Sequence, residues 1–220
     1  MLHDTVILFY LRLVQSRLHE KQGNLFEILP PSLTQLIKLA PDEDATDHLA
    51  PIKQQLLAKQ LIFIPINDSM ETEARPGTVL GKHWSLLIFS PDENIFRHFD
   101  TKEEMNKVHA KTVAQKISCA MIERSRPVKI LKDLLMPVRN NDCGVWVLQY
   151  AQLVLDYFAD NTEPRLRRFI PILNATKSSR EMRLSILEVI DNVEKEEQQI
   201  IVHRQNRNMA TCLNLENEKQ

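Results

Sequence analysis

The apolar positions of the chain follow two periods, one helical and one extended. Residues 3–19 have the density of a mostly buried helix, ended by Gln22-Gly23-Asn24. Ser32 is placed to cap a short helix, Leu33 to Leu39, behind Pro30-Pro31. Pro41-Asp42-Glu43-Asp44 reads as a solvated acidic loop. Leu61 to Ile66 reads as a buried strand, in which Pro65 withholds one ladder donor and predicts an edge or a strand end. A long polar loop, Asn67 to Lys82, follows. Trp84 to Phe89 and Asn94 to Phe99 are two more strands, and Pro91-Asp92-Glu93-Asn94 turns them into an antiparallel hairpin.

From Lys107 to Arg124, apolar Ala110, Val113, Ala114, Ile117, Ala120 and Met121 keep helical spacing. Val128-Lys129-Ile130 is one further strand, and the apolar run ending at Phe158 is a buried helix. Ser178-Ser179-Arg180-Glu181 is a capping-box pattern, opening a helix with Met182, Ile186, Val189, Ile190 and Val193 on one face. Beyond Ile201 the periodicity fades. These elements predict one α+β domain over residues 1–200 with a small central sheet, and a flexible tail over 201–220.

Composition narrows the function. Hydrophobic residues at 43% and charged residues at 26% are an ordinary globular balance. A formal net charge of −1 gives no basic footprint for nucleic acid. The run Val6 to Leu11 is too short to span a bilayer and has no basic residues ahead of it, so neither a membrane anchor nor a signal peptide is predicted. The three cysteines, Cys119, Cys143 and Cys212, form no CxxC pair. That argues against a disulfide framework and a structural zinc site, and for a reducing, intracellular compartment. No histidine has metal-ligand spacing.

The candidate chemistry gathers at two places. Asn140-Asn141-Asp142 leads into Cys143 and Gly144 at the start of the buried helix, where unpaired N–H groups and the helix dipole favour a thiolate. His83 opens one hairpin strand and Asp100 closes the other, at the same end of the hairpin. A cysteine nucleophile needs an imidazole to take its proton, and the imidazole needs a carboxylate to fix its tautomer. Each residue also has a plain structural reading: Cys143 as a small residue under a helix start, His83 as a loop histidine, Asp100 as a strand-ending turn residue. His98, on the sheet face opposite Phe99, reads as a half-exposed sheet residue, and Cys119 and Cys212 as non-catalytic. The residues alone leave both readings open.

His83-Trp84-Ser85-Leu86-Leu87, Asp100 and Asp142-Cys143-Gly144 together resemble the ubiquitin-like-protein-specific cysteine proteases, the sentrin-specific family. Leu2-His3-Asp4, Pro31 to Lys38, Phe63 to Asp68 and Val108 to Lys111 extend the likeness to its deneddylase branch, and it runs from residue 1 to about residue 195. The resemblance implies a papain-like-clan α+β fold with a mixed sheet flanked by helices. It implies cleavage after the C-terminal Gly-Gly of a ubiquitin-like modifier, with Cys143 as nucleophile, His83 as base and then acid, and Asp100 holding His83. Trp84 would wall the diglycine tunnel, and Asp4 and Asn67 would lie near the modifier's tail. The implied partners are the neddylation modifier and its conjugates, such as cullins, met by a monomer in cytoplasm or nucleus without metal or cofactor.

Two departures from the family pattern stand out. A glutamine that helps form the oxyanion hole six residues before the cysteine is replaced by Pro137, or by Val138 if one gap is allowed. Arg139, Asn140 and Asn141 are the candidate substitutes. A tryptophan expected just before the Leu-x-Asp stretch is replaced by Met1. These departures leave a second reading beside the enzyme: a pseudoprotease that binds a ubiquitin-like modifier without efficient cleavage.

Overall fold

The computed structural model describes residues 2–22, 25–71, 81–102, 105–121, 128–134, 142–170, 178–193, 195 and 198–199. It divides into two compact units, Met1–Thr176 and Lys177–Gln220. In the second, residues 179–193 are helical. The capping box is formed there: Glu181 Oε2 accepts from Ser178 N at 2.7 Å and Ser178 Oγ accepts from Glu181 N at 3.3 Å.

The first unit is a five-stranded mixed sheet between two helical layers. Its strands are β1 (Phe26–Ile28), β2 (Leu61–Asn67), β3 (Trp84–Ser90), β4 (Ile95–Asp100) and β5 (Lys129–Leu134), side by side in that order. β1 and β2 are parallel, β2, β3 and β4 antiparallel, and β4 and β5 parallel. Each parallel pair is joined by helical chain, as parallel pairing requires. Helices α2 (Pro31–Leu39), α3 (Asp42–Leu49) and α4 (Lys53–Leu57) lie between β1 and β2, and α5 (Lys107–Met121) lies between β4 and β5. Helices α1 (Asp4–Gln22) and α6 (Cys143–Asp160) complete the unit.

Strand alternation sorts the core. Ile62, Ile64, Ile66, Leu87, Phe89 and Phe96 pack with Ala110, Val113, Ala114 and Ile117 of α5 and with Ile37, Ala45 and Leu49. On the other face, Phe26 meets Phe63 and Phe158 edge to face, and Phe99 stacks on Tyr150 at 5.3 Å. Every residue of β2 and β3 is therefore buried, which explains their unbroken apolar runs. The hairpin turn is closed by Asn94 at φ 49°, with its N–H on Pro91 O at 3.1 Å.

Several sequence expectations need correction. β1 was not anticipated, because three residues are too few to show a period. Ser32 does not cap α2, which begins at Pro31 behind Pro30 with no side-chain cap. The acidic stretch 42–44 is exposed but is the first turn of α3, where carboxylates face the positive end of the helix dipole. His98 is only 6% exposed, because α5 covers its face of the sheet, and its Nε2 meets Ser85 Oγ at 3.0 Å.

Pro65 lies in an interior strand, yet its edge character is real. Leu29 N bonds Phe63 O, so Phe63, Pro65 and Asn67 direct their backbone polar groups toward β1. The β1–β2 register ends at Ile28 and Phe63, and Pro65 meets no strand on that side. The missing donor costs no ladder bond.

Phe89 is fully buried and stacks on Phe96 with centroids 4.3 Å apart. Phe89→Ala should cost about 3–5 kcal/mol in urea unfolding, and a loss near zero would mean this face is not the packing centre.

Candidate active site

His83 lies just ahead of β3, and Asp100 is the last residue of β4. Leu86 pairs with Phe99, which sets Ser85 opposite Asp100 and makes His83 its diagonal neighbour. The hairpin thus brings the two side chains into contact: His83 Nε2 is 2.5 Å from Asp100 Oδ1, with the side chains 0% and 8% exposed. Asp100 is itself fixed. Its Oδ1 accepts from Lys102 N at 3.0 Å and its Oδ2 from Asn106 N at 3.0 Å. The Asn106 amide donates on to Ile66 O and Ser85 Oγ, both at 3.1 Å, tying the loop after β4 back to the sheet.

Cys143 opens α6 and is 4% exposed. Its N–H belongs to the first helical turn, where donors lack intrahelical acceptors. Gly144 follows because a Cβ there would stand 3.0 Å from Leu2 Cβ. Leu2 in turn accepts the Trp84 indole N–H at 3.2 Å. Residues from α1's approach, β3 and α6 therefore converge within a few side chains.

The electrostatics follow from these contacts. Burial works against charge on all three groups, and each overcomes it. The Asp100 carboxyl is pushed up by burial but held lower overall by His83 and the Lys102 and Asn106 N–H groups. The Cys143 thiol is likewise raised by burial, then brought below its ordinary value by His83 and by the Trp84 and Gly144 backbone. For His83 burial favours the neutral ring, but Asp100 and Cys143 push the imidazole up to about 9. The Cys143 thiol lies close enough to the imidazole that each shifts the other's titration. Asp100 on Nε2 fixes the tautomer that leaves Nδ1 free to take a proton.

A model of the Ulp1 protease family's C-terminal catalytic domain matches residues 1–182. The chain belongs to the Ulp1 protease family. It is 31% identical over 159 residues to NEDD8-specific protease 1 of Arabidopsis thaliana, covering 72% of this chain and 67% of that protein. It is 30% identical over 175 residues to Sentrin-specific protease 8 of Homo sapiens, covering 77% and 78%. A de-sumoylating protease structure superposes with TM-score 0.54 at 16% identity, covering 89% and 85%. The Xanthomonas campestris effector XopD bound to ubiquitin gives 0.52 at 18%, covering 72% and 76%. Those two show the fold. The Ulp1-family chain is thus a cysteine peptidase with an α+β protease fold.

Not every expected site residue joins the centre. Asp4 is exposed at the start of α1, its Oδ1 on Thr5 N at 2.8 Å. Trp84 does join it, through its backbone beside the Cys143 thiol, and is 5% exposed, whereas Asn67 is 8% exposed with its Oδ1 accepting from Ser69 N at 2.7 Å. Pro137, Val138, Arg139, Asn140 and Asn141 lie outside the described residues. No described helix is long and apolar enough to cross a membrane, and no metal-holding cluster is found among the described residues. The reading of the sequence missed Asn106 and Asp68. An asparagine directly before a helix is a usual cap signal, and Asp68 lies in a stretch that carries the family likeness.

Iodoacetamide alkylation of Cys143 should rise with pH at a midpoint below that of an ordinary thiol, since the thiolate is the reacting form. In His83→Ala that midpoint should move up. Equal midpoints in the two proteins would uncouple the pair.

Proposed function

We propose that this protein is a deneddylase, cleaving after the Gly-Gly terminus of the neddylation modifier. The observation that carries the reading is the buried His83–Asp100 contact coupled to Cys143, in a chain whose relatives include a NEDD8-specific protease. His83 Nδ1 takes the Cys143 proton, and the thiolate attacks the glycine carbonyl. The imidazolium returns the proton to the departing lysine amine, and water, activated by the same imidazole, hydrolyses the thioester. Asp100 holds the ring in the needed tautomer and stabilises its charge. The Cys143 N–H, at the positive end of α6, is the backbone donor for the developing oxyanion. Trp84 lines the diglycine path, and Asp4 and Asn67 contact the modifier's tail. Neddylated cullins are the conjugates expected, met by a monomer in cytoplasm or nucleus.

A pseudoprotease reading keeps the same binding surface but loses turnover. What favours it is the non-donating residue at Pro137 or Val138. One missing oxyanion donor lowers kcat by about 10²–10³-fold. Val138→Gln should then raise kcat, and an unchanged kcat would mean the hole already has its donors.

The test uses modifiers carrying a C-terminal electrophile: the neddylation modifier, ubiquitin and a sumoylation modifier, with Cys143→Ala as control. The proposal expects an adduct with the neddylation modifier that the control loses. An adduct with another modifier instead would correct the substrate. Binding without any adduct would leave the pseudoprotease.

A further inference from the structure

His83 belongs to neither strand nor helix and lies just ahead of β3. A base in that position needs its main chain held by something other than the sheet ladder. The structure supplies a carboxylate. Asp68 Oδ1 accepts from Lys82 N at 2.6 Å and from His83 N at 2.9 Å, and Asp68 N returns a bond to His83 O at 3.2 Å. Asp68, one residue past β2, is thus tied to the residues that lead into β3.

Two further features support these contacts. Gly81 sits at φ 72°, and a Cβ there would overlap the side-chain oxygens of Asn67 and Asp68. Lys38 of α2 is 5% exposed, and its Nζ donates to Asn67 O at 2.5 Å and to Ser69 O at 2.6 Å. These carbonyls flank Asp68. Asn67 O points to the side on which β1 has already ended, so no strand offers it a donor. Burying an ammonium is costly unless it is paired and fully bonded. Burial lowers Lys38 to about 8, and the Asp68 carboxylate opposes that fall. Gln35 adds bonds to Ser69 O at 3.0 Å and Glu71 O at 2.8 Å.

We infer that Asp68 is a positioning residue for His83, gripping the Lys82 and His83 backbone N–H groups from a strand end that Lys38 anchors. The inference rests on the reading of His83 as the base of Cys143. Asp68 acts through the backbone of the histidine. Its carboxylate does for the base's main chain what Asp100 does for the base's ring.

The test is alkylation of Cys143 by iodoacetamide across pH in the full chain, a probe that needs no modifier. Asp68→Ala should move the midpoint up, toward an ordinary thiol, with a single thermal transition retained. Asp68→Asn keeps an acceptor for both N–H groups and should restore the wild-type midpoint. A midpoint unchanged in Asp68→Ala, beside a wild type that is clearly lowered, overturns the positioning role while leaving the Cys143–His83 pair standing. An ordinary midpoint in the wild type overturns the pair and the inference together. If Asp68→Ala does not fold, amide exchange in the wild-type chain decides. The Lys82 and His83 amides should be protected, and exchange at unfolded-chain rates contradicts the grip.

Discussion

A fully buried imidazole is neutral by default, because a low-dielectric interior penalises charge. In this protein the Asp100 carboxylate beside Nε2 reverses that default, and the site's chemistry depends on the reversal. Once the ring is ready to hold a proton, the neighbouring thiol can give one up despite its own burial. Remove the carboxylate contact and both partners revert: the ring to its neutral form, the thiol to a protonated, weakly nucleophilic one. The rest of the first unit can be read as the means of making one contact at about 2.5 Å reproducible. The hairpin register sets the diagonal, the Lys102 and Asn106 amides hold the carboxylate, and α6 delivers the cysteine.

How the sheet achieves this also explains its irregular parts. β1 is three residues long, which leaves the second half of β2 unpaired on one side. Pro65 fits that gap without losing a bond, and Lys38 fills it further along with a charged donor. An edge strand is usually a hazard, since its free groups invite pairing with another chain. Here part of the edge is covered by α2, and the covered segment ends beside Asp68, which bonds the His83 backbone. The ordinary task of satisfying backbone groups and the placement of a base are met by the same residues.

Much of this was legible in the sequence, and the reasons are specific. The hairpin was readable because β3 and β4 are bounded by a polar four-residue turn, and that alone put His83 and Asp100 at one end. Cys143 at a helix start was readable from the polar-to-apolar switch after Asp142. β1 escaped because a strand paired on one side needs only a few residues and shows no alternation. Burial of His98 escaped because it depends on α5, which is remote in sequence. Asp68 and Asn106 escaped for a shared reason: Asp68 accepts from backbone N–H groups and Asn106 donates its own N–H to Asp100 and its side-chain amide to a backbone carbonyl, and no side-chain pattern records which main-chain groups need a partner. The acidic first turn of α3 shows the converse error, where composition suited both a loop and a helix start.

The most direct test of this account is an NMR titration of the His83 ring in the wild type, Cys143→Ala and Asp100→Asn. Asp100 and Cys143 both raise the ring, so its imidazolium should persist to about pH 9 in the wild type and titrate lower in each variant. A His83 that titrates at or below the ordinary histidine value in the wild type would contradict the account. The thiol would then have no charged partner, and the short contact with Asp100 would be structural alone.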